Sequence, residues 1–202
     1  MEILASSVKG RKRYLYDQKG GRREVNWLLF LMQDLPKLVY ESFAALSVLV
    51  TSKYNIVKIS ETIEKKKRKS FHFTVDRIAY IWTPHWFGLS AGGSLSHIYG
   101  VTKGFKNLGK RLVFITTDKP ALVDRLKCPV YVVAPFGLIR NFPEFPEMAY
   151  NYTLFKDACE IFDKERPSAI YQRYSLNNYI GVTLSLKNKI PLIIEYNGSE
   201  IW

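Results

Sequence analysis

The clearest indication of the fold is the stretch Arg77-Ile-Ala-Tyr-Ile-Trp-Thr-Pro-His-Trp-Phe-Gly-Leu-Ser-Ala-Gly-Gly-Ser-Leu-Ser-His97. Its first part, residues 78–83, is β-branched and aromatic, which is typical of a buried strand. Pro84 and Gly88 interrupt that run, and the loop that follows ends in Gly92-Gly93-Ser94. The stretch therefore predicts a strand followed by a glycine loop.

The residues after this loop predict a helix, because mostly apolar side chains recur there at helical spacing. They are Leu95, Ile98, Val101, Thr102, Phe105 and Leu108. Gly109 is the expected stop. A strand, a glycine loop and a helix form the opening unit of a doubly wound α/β domain, which binds ligands at the carboxyl edge of its sheet. Glycines let a ligand approach the backbone closely, and the start of the helix offers unpaired N–H groups to an anion.

The same alternation continues to the end of the chain. Further strands are predicted at residues 112–117, 130–134, 169–173 and 191–196, and further helices at 120–126, 148–164 and 178–188. Strands that alternate with helices predict a Rossmann-like, doubly wound parallel sheet with both faces covered. We expect residues 76–202 to form this domain and residues 1–75 to form a basic, largely helical arm. The pattern stops just after a strand, so we expect the domain to be incomplete and the chain to be part of a longer protein.

Most of the excess positive charge lies in the arm. The net charge is +12, and residues 1–75 hold fifteen Lys or Arg against seven Asp or Glu, which is +8. Such a segment is attracted to anionic surfaces. The two cysteines, Cys128 and Cys159, show no paired spacing and suggest a reducing compartment. No secretory signal and no uninterrupted apolar run of about 20 residues are present, so we expect a cytoplasmic chain without a membrane span.

The arm allows more than one interpretation. Residues 1–24 predict a mobile basic tail, and residues 25–51 and 56–64 predict helices, with Asp34 and Pro36 at the start of the apolar part. An apolar stripe follows, at Leu38, Val39, Phe43, Leu46, Leu49 and Val50. The helix that carries it either packs on the domain or lies on the inner face of a membrane. The block at residues 65–69 is a solvated linker or a lipid contact, and no nucleic-acid-binding motif accompanies it.

Several classes of site find no support in the sequence. There is no P-loop, no GxGxxG loop, no GxSxG elbow and no metal-ligand spacing among His72, His85 and His97. We therefore predict no metal. Asp118, which follows the second strand, either contacts a ribose hydroxyl in a nucleotide-dependent oxidoreductase or merely caps a turn.

Polar and aromatic residues follow two of the later strands. Residues 171–178 read Tyr-Gln-Arg-Tyr-Ser-Leu-Asn-Asn, and residues 195–200 read Glu-Tyr-Asn-Gly-Ser-Glu. Aromatic rings can stack on sugar rings, and amide, guanidinium and carboxylate groups can bind sugar hydroxyls. Arg173 is expected at the same edge as Gly92 and Gly93. The alternative is that these residues cap loops.

These residues resemble the N-terminal domain of retaining GT-B glycosyltransferases of family 4. The resemblance rests on the glycine loop with His97, the helix ending in Leu108-Gly109, the strand at 112–117 and the closing segments 170–178 and 191–202. It implies transfer of a sugar from a nucleotide-sugar donor to a saccharide or lipid-linked acceptor, as in surface polysaccharide synthesis. It also implies that a second domain binds the nucleotide and that this chain alone is inactive. The arm lies outside the resemblance.

The resemblance also implies roles for individual residues. Gly92, Gly93 and Ser94 would face the donor phosphates. Acceptor or sugar contacts would come from His97, Arg173, Tyr174, Asn197 and Glu200. No catalytic residue is assigned. The alternatives are an NAD(P)-dependent oxidoreductase and a non-catalytic module that binds membranes or nucleic acid through the arm.

Overall fold

Five parallel strands form the central sheet of the computed structural model, as the sequence predicts. The structure describes residues 14–16, 22–24, 32, 35–65, 74–84, 93–119, 125, 127–135 and 145–196. The elements in chain order are β1 (Tyr14–Tyr16), β2 (Arg22–Glu24), α1 (Leu35–Lys65), β3 (Arg77–Trp82), α2 (Gly93–Asn107), β4 (Arg111–Thr116), β5 (Val130–Val132), α3 (Phe145–Glu165), β6 (Ala169–Arg173), α4 (Ile180–Asn188) and β7 (Leu192–Glu195). The predicted strands and helices of residues 76–202 are confirmed, except that the predicted helix at 120–126 lies almost wholly outside the described residues. Residues 25–31, 33 and 34 of the predicted arm helix, with the predicted cap Asp34, also lie outside them.

The strand order places a topological switch point in the middle of the sheet. The order is β5-β4-β3-β6-β7, so the chain runs from β3 outward to β5 and then returns to the other side of β3. β3 pairs in parallel with both β4 and β6. In open α/β sheets, ligands bind outside the carboxyl ends of the strands where the order reverses. This fold therefore directs attention to the ends of β3 and β6.

Alternate residues of each strand pack on opposite faces of the sheet. Ala79 and Ile81 of β3 lie in the cluster that includes α3 and α4 residues such as Leu154 and Leu184. Tyr80 lies in the other cluster, which also contains Trp82, Phe114 and the α2 residues Leu95 and Ile98. The central strands β3, β4 and β6 are largely buried on both faces, which explains why their sequences are mainly apolar runs. The edge strands β5 and β7 leave Val132, Ile193 and Ile194 exposed.

The end of α2 follows the sequence prediction closely. Gly109 has a positive φ of 70°, a conformation that side chains with a Cβ seldom adopt. The N–H of Lys110 donates to the Phe105 carbonyl at 3.0 Å, and the N–H of Gly109 donates to the Lys106 carbonyl at 2.8 Å. The chain then turns into β4, so Gly109 fixes the length of α2 and the place where it meets the sheet.

The arm differs from its prediction in two respects. The sequence predicts a mobile tail over residues 1–24, but Tyr14–Tyr16 and Arg22–Glu24 pair as antiparallel strands. Tyr and Leu at 14–16 are residue types that favour strands. Where two helical stretches are predicted, one continuous helix of 31 residues runs from Leu35 to Lys65.

Helix α1 packs on the domain, as one of the two alternatives predicts, but it does not do so through the predicted apolar stripe. Val39, Phe43, Leu46, Leu49 and Val50 are exposed, and only Leu38 of the predicted stripe is half-buried. The buried and half-buried positions of α1 recur instead at Leu38, Glu41, Ala44, Ala45, Val48, Ser52, Asn55, Ile59 and Thr62. In the part of the chain that the structure describes, no helix has the length and hydropathy needed to cross a membrane. The predicted boundary between residues 75 and 76 stays a prediction.

Candidate functional site

The candidate site lies at the carboxyl ends of β6 and β7, beside the start of α2. Leu95 and Ile98 of α2 are buried against the sheet, which fixes the rotation of the helix. His97, between them in sequence, is then turned away from this apolar contact and remains 44% exposed. Arg173 ends β6 and Glu195 ends β7, and the two residues are directly paired in register. The neighbouring strands thus bring opposite charges to one edge of the sheet.

Glu195 is the centre of the site. Its Oε1 lies 2.8 Å from Nε2 of His97 and 3.8 Å from Nε of Arg173. Its Oε2 accepts a hydrogen bond from the hydroxyl of Tyr171 at 2.9 Å. The carboxylate side chain is only 9% exposed. A buried carboxylate is stable only when it is paired, and here one carboxylate orients an imidazole, a guanidinium and a phenol.

Arg173 also fastens the start of α2 to the sheet. Its Nη1 donates to the backbone carbonyl of Ser94 at 3.3 Å. The guanidinium is 17% exposed and lies between the Glu195 carboxylate and the first turn of α2. One side chain thus contacts both parts of the predicted site, the end of the glycine loop and the ends of the later strands.

Aromatic rings form the base of the site. Tyr80 stacks on Phe114 with ring centroids 5.1 Å apart and lies 5.2 Å from the ring of Tyr171. Burial raises the pKa of Tyr171 to about 12, and its hydrogen bond to Glu195 acts in the same direction. Burial also raises the pKa of Tyr80, and the charge of Glu195 adds to that effect. Both phenols therefore stay neutral at physiological pH.

A second pair of rings lies at the outer side of the same edge. The rings of Tyr174 and Tyr196 are 5.4 Å apart, and the N–H of Tyr174 donates to the Glu195 carbonyl at 2.8 Å. Tyr196 is 61% exposed. An exposed aromatic ring at a ligand-binding edge can stack on a planar or apolar face of a ligand.

The structure brings some of the predicted site residues together. Ser94, His97 and Arg173 meet around Glu195, and Tyr174 adjoins them through its backbone. Gly93 begins α2, is exposed, and has no atom within 4 Å of the place where a Cβ would stand. The remaining predicted residues, Gly92, Asn197 and Glu200, lie outside the described residues.

Two central residues, Glu195 and Tyr171, are absent from the sequence-based set. A signal for Glu195 exists, because a carboxylate that ends an otherwise apolar strand must face the ligand-binding edge. Tyr171 stands two positions before Arg173, so the period of a strand puts both on one face. The contact of Glu195 with His97, however, can be predicted only when the order of the strands in the sheet is known.

Other polar residues of the same segment are used to hold loops. The side-chain amide nitrogen of Asn178 donates to the Thr83 hydroxyl at 2.6 Å, and Ser175 Oγ lies 3.2 Å from that same hydroxyl. Gln172 Oε1 accepts the backbone N–H of Gly181 at 2.9 Å, which caps the start of α4. These contacts support the loop-capping interpretation for Gln172, Ser175 and Asn178. They also fix the end of β3 to the loop after β6.

Asp118 is engaged in a turn. The backbone N–H of Lys119 donates to its carboxylate at 2.8 Å, and the hydroxyl of Thr116 donates to its carbonyl at 2.9 Å. This geometry fits the capping alternative. Within the described ranges, no group of three or more His, Cys, Asp and Glu side chains could hold a metal ion.

A cavity of about 580 Å³ lies on the other face of the sheet, between α1, α3 and α4. Its wall includes Asn55, Ile59, Tyr152, Phe155 and Tyr179, and it contains none of the residues of the Glu195 site. Volume alone would favour this cavity as the functional site. The concentration of charged and aromatic groups at a topological switch point favours the Glu195 site instead.

Comparison with known proteins yields structural likenesses only. No family model matches the chain, and no curated protein matches it. The C-terminal domain of a hydrogenase from Pyrococcus furiosus is similar with a TM-score of 0.44 and 11% identity, over 64% of this chain and 98% of that one. A second structure of that domain is similar with a TM-score of 0.44 and 12% sequence identity, over 62% of this chain and 96% of that one. MurG from Acinetobacter baumannii is similar with a TM-score of 0.42 and 13% sequence identity, over 60% of this chain and 35% of MurG. The function has to be argued from this chain's own residues.

Proposed function

We propose that this chain supplies the acceptor-side half of a GT-B glycosyltransferase, which moves a sugar from a nucleotide-sugar to a saccharide or lipid-linked acceptor. The observation that carries the proposal is the single carboxylate of Glu195, which holds His97 and Arg173 beside the start of α2. The resemblance of the sequence to family 4 agrees with it. The proposed enzyme is retaining and needs no metal.

Charge at the site suits a phosphorylated sugar. Arg173 presents a guanidinium, a geometry that matches phosphate oxygens, and the first turn of α2 adds backbone N–H groups at Gly93 and Ser94. In the transfer reaction, negative charge develops on the departing diphosphate, and fixed donors lower the energy of that state. Glu195 acts as a positioning residue, since its carboxylate faces Arg173, His97 and Tyr171.

The neighbouring rings suit the sugar itself. Tyr196 is exposed and held against Tyr174, so a pyranose could stack on it while the imidazole of His97 reaches a hydroxyl. A nicotinamide cofactor finds less support, because the Asp118 carboxylate that would read its ribose already accepts the Lys119 N–H. The acceptor half of a glycosyltransferase has to bind sugar hydroxyls next to a site that binds phosphate.

Binding to the whole chain tests this proposal. The imidazole resonances of the histidines would be followed by NMR during titration with UDP-glucose, GDP-mannose, inorganic pyrophosphate and NAD. We expect one imidazole, lost in His97→Gln, to shift with a nucleotide-sugar and with pyrophosphate but not with NAD. Arg173→Lys should weaken the interaction about tenfold, because lysine keeps the charge but loses the planar fork. The matched control is Arg111→Lys, at the amino end of β4, where the guanidinium pairs with Asp76.

Three results would contradict the proposal. NAD binding tighter than nucleotide-sugar binding would favour the oxidoreductase. Equal weakening by Arg173→Lys and Arg111→Lys would show that charge alone attracts the ligand. No response to any nucleotide-sugar or to pyrophosphate would contradict the proposed contact of this edge with the donor diphosphate.

A further inference from the structure

The outer surface of α1 is apolar where a soluble helix is normally polar. Six side chains lie on the side opposite to the packed face, and we call them the outer stripe: Val39, Phe43, Leu46, Val50, Tyr54 and Val57. Phe43 is 70% exposed, Tyr54 63% and Val50 60%. Their spacing of three and four residues aligns them along one side of the helix over about 27 Å.

The inner face of α1, which packs on the domain, is more polar than its exposed outer stripe. Glu41, Ala45 and Ser52 are the buried residues of the helix, and Asn55 donates from its side-chain amide to the hydroxyl of Tyr152 on α3 at 3.4 Å. The helix therefore docks on the domain through a mixed face of small, polar and half-buried apolar groups and turns its aromatic side chains Phe43 and Tyr54 outward. A contiguous apolar surface of this kind marks a site of interaction.

Charge around the outer stripe indicates the occupant. Lys53 and Lys58 lie on either side of the outer stripe, and between residues 37 and 58 the one carboxylate, Glu41, is buried on the inner face. The exposed Glu61 and Glu64 follow in the last turns, where Glu61 pairs with Lys65 at 4.0 Å, and residues 66–69 add four basic residues to the sequence. An apolar stripe flanked by lysines is complementary to a bilayer surface that contains anionic lipid.

A second copy of the chain is a poorer match. Between residues 37 and 58 a second copy presents no exposed carboxylate that could pair with Lys53 or Lys58 in either orientation. Like charges that come close together oppose association. Anionic lipid, by contrast, attracts all of them at once.

We propose that the outer stripe of α1 is a membrane-docking surface, which inserts into the interfacial layer of an anionic bilayer while the helix lies parallel to the membrane. The inference is independent of the glycosyltransferase proposal, because it uses no residue of the Glu195 site. It also assigns the contact to one face of α1 rather than to the basic residues near the amino end.

Co-sedimentation of the full chain with vesicles tests this inference. Two vesicle types would be compared, pure phosphatidylcholine and an equal mixture of phosphatidylcholine and phosphatidylglycerol. We expect binding to the anionic vesicles, and a loss of about tenfold or more in Phe43→Ser combined with Val50→Ser. The matched control combines Leu108→Ser with Ile63→Ser, which removes two exposed apolar side chains off the stripe. This control should bind as the unchanged chain does.

Two further experiments test the roles of charge and of oligomeric state. Lys53→Gln combined with Lys58→Gln should weaken anionic binding several-fold, and added salt should weaken it further. Light scattering during size-exclusion chromatography gives the mass in solution, and circular dichroism checks that every variant folds. The inference is overturned if the Phe43 and Val50 variant binds vesicles as the control does. It is also overturned if the chain is a dimer that this variant converts to a monomer without affecting vesicle binding.

Discussion

The Oε1 atom of Glu195 lies 2.8 Å from Nε2 of His97, which joins the end of the edge strand β7 to the first turns of α2. The two residues are almost 100 positions apart in sequence, and the β6 residue Arg173 also contacts the same oxygen atom at 3.8 Å. The edge strand and the helix after the central strand are therefore held by one buried carboxylate.

Replacing that carboxylate by an amide should destabilise the fold. In Glu195→Gln the side chain keeps its shape, but its NH₂ group now faces groups that donate hydrogen bonds. We expect the free energy of unfolding to fall by about 1–3 kcal/mol, the usual cost of leaving buried polar groups unpaired. Urea denaturation followed by circular dichroism measures this change. Glu61→Gln is the control, because Glu61 is 60% exposed and its pairing with Lys65 at 4.0 Å contributes little. Equal loss in both variants would contradict a central role for Glu195.

Alkaline pH should destabilise the chain through Tyr171. Its pKa in the folded protein is about 12, above the ordinary value of 10.0, because of burial and then the hydrogen bond to Glu195. Above pH 10 the unfolded chain loses the proton first, so the unfolded state binds fewer protons and stability falls as pH rises. The contribution is complete below pH 10 and is lost as pH rises through about 12. The free energy of unfolding of Tyr171→Phe should decline less steeply over this interval. Parallel pH curves for the two proteins would refute the assignment.

The sheet can be predicted from sequence because its central strands, β3, β4 and β6, are largely buried on both faces. Each of these strands is then mainly an apolar run between glycine, proline or polar residues, and the predicted bounds of β6 match the observed ones, Ala169–Arg173. Helix α1 shows the limit of the method. Periodicity identifies residues that share a face, but it does not tell which face meets the protein. The polar stripe with Glu41 and Ser52 packs inward because small and polar groups there fit against α3, and Phe43 remains outside.

The site is predictable only in part, and for a related reason. The carboxyl ends of parallel strands meet at one edge, which correctly predicts that Arg173 lies at the start of α2 near Ser94. The partnership of Glu195 with His97 depends on β7 lying beside β6, and no local pattern specifies that order. The binding roles proposed for these residues stay predictions.

Gly181 should resist substitution because of packing. A Cβ at this position would lie 2.0 Å from Oε1 of Gln172 and 3.1 Å from Cδ1 of Leu192. The same Gln172 oxygen accepts the Gly181 N–H at 2.9 Å, so α4 begins almost in contact with β6. We expect Gly181→Ala to lower the free energy of unfolding by about 1–3 kcal/mol, as overpacked sites usually do.

Thermal or urea unfolding of Gly181→Ala measures this cost, and Gly100→Ala is its control. Gly100 lies within α2, and no atom lies within 4 Å of the place that the added methyl group would occupy. Alanine is a better helix former than glycine, so this control should gain up to about 1 kcal/mol. The same sign of change in both variants would show that the contact with Gln172 is readily relieved.

Gly93 provides the sharpest separation between folding and function. Apart from the chain neighbours of Gly93 and the backbone of its own helix, no atom of the described residues lies within 4 Å of a Cβ at this position, and the residue is exposed at the start of α2. The fold therefore does not require glycine there. A diphosphate that lies against the backbone would require it, because a side chain at this position would keep the diphosphate away. We expect Gly93→Ala to leave the free energy of unfolding within about 0.5 kcal/mol of its original value, as at most surface sites. Binding of pyrophosphate and nucleotide-sugar, measured by the same NMR titration, should weaken at least several-fold. If Arg173→Lys weakens binding while Gly93→Ala does not, the ligand contacts Arg173 without reaching the start of α2, and the phosphate role of this turn is wrong.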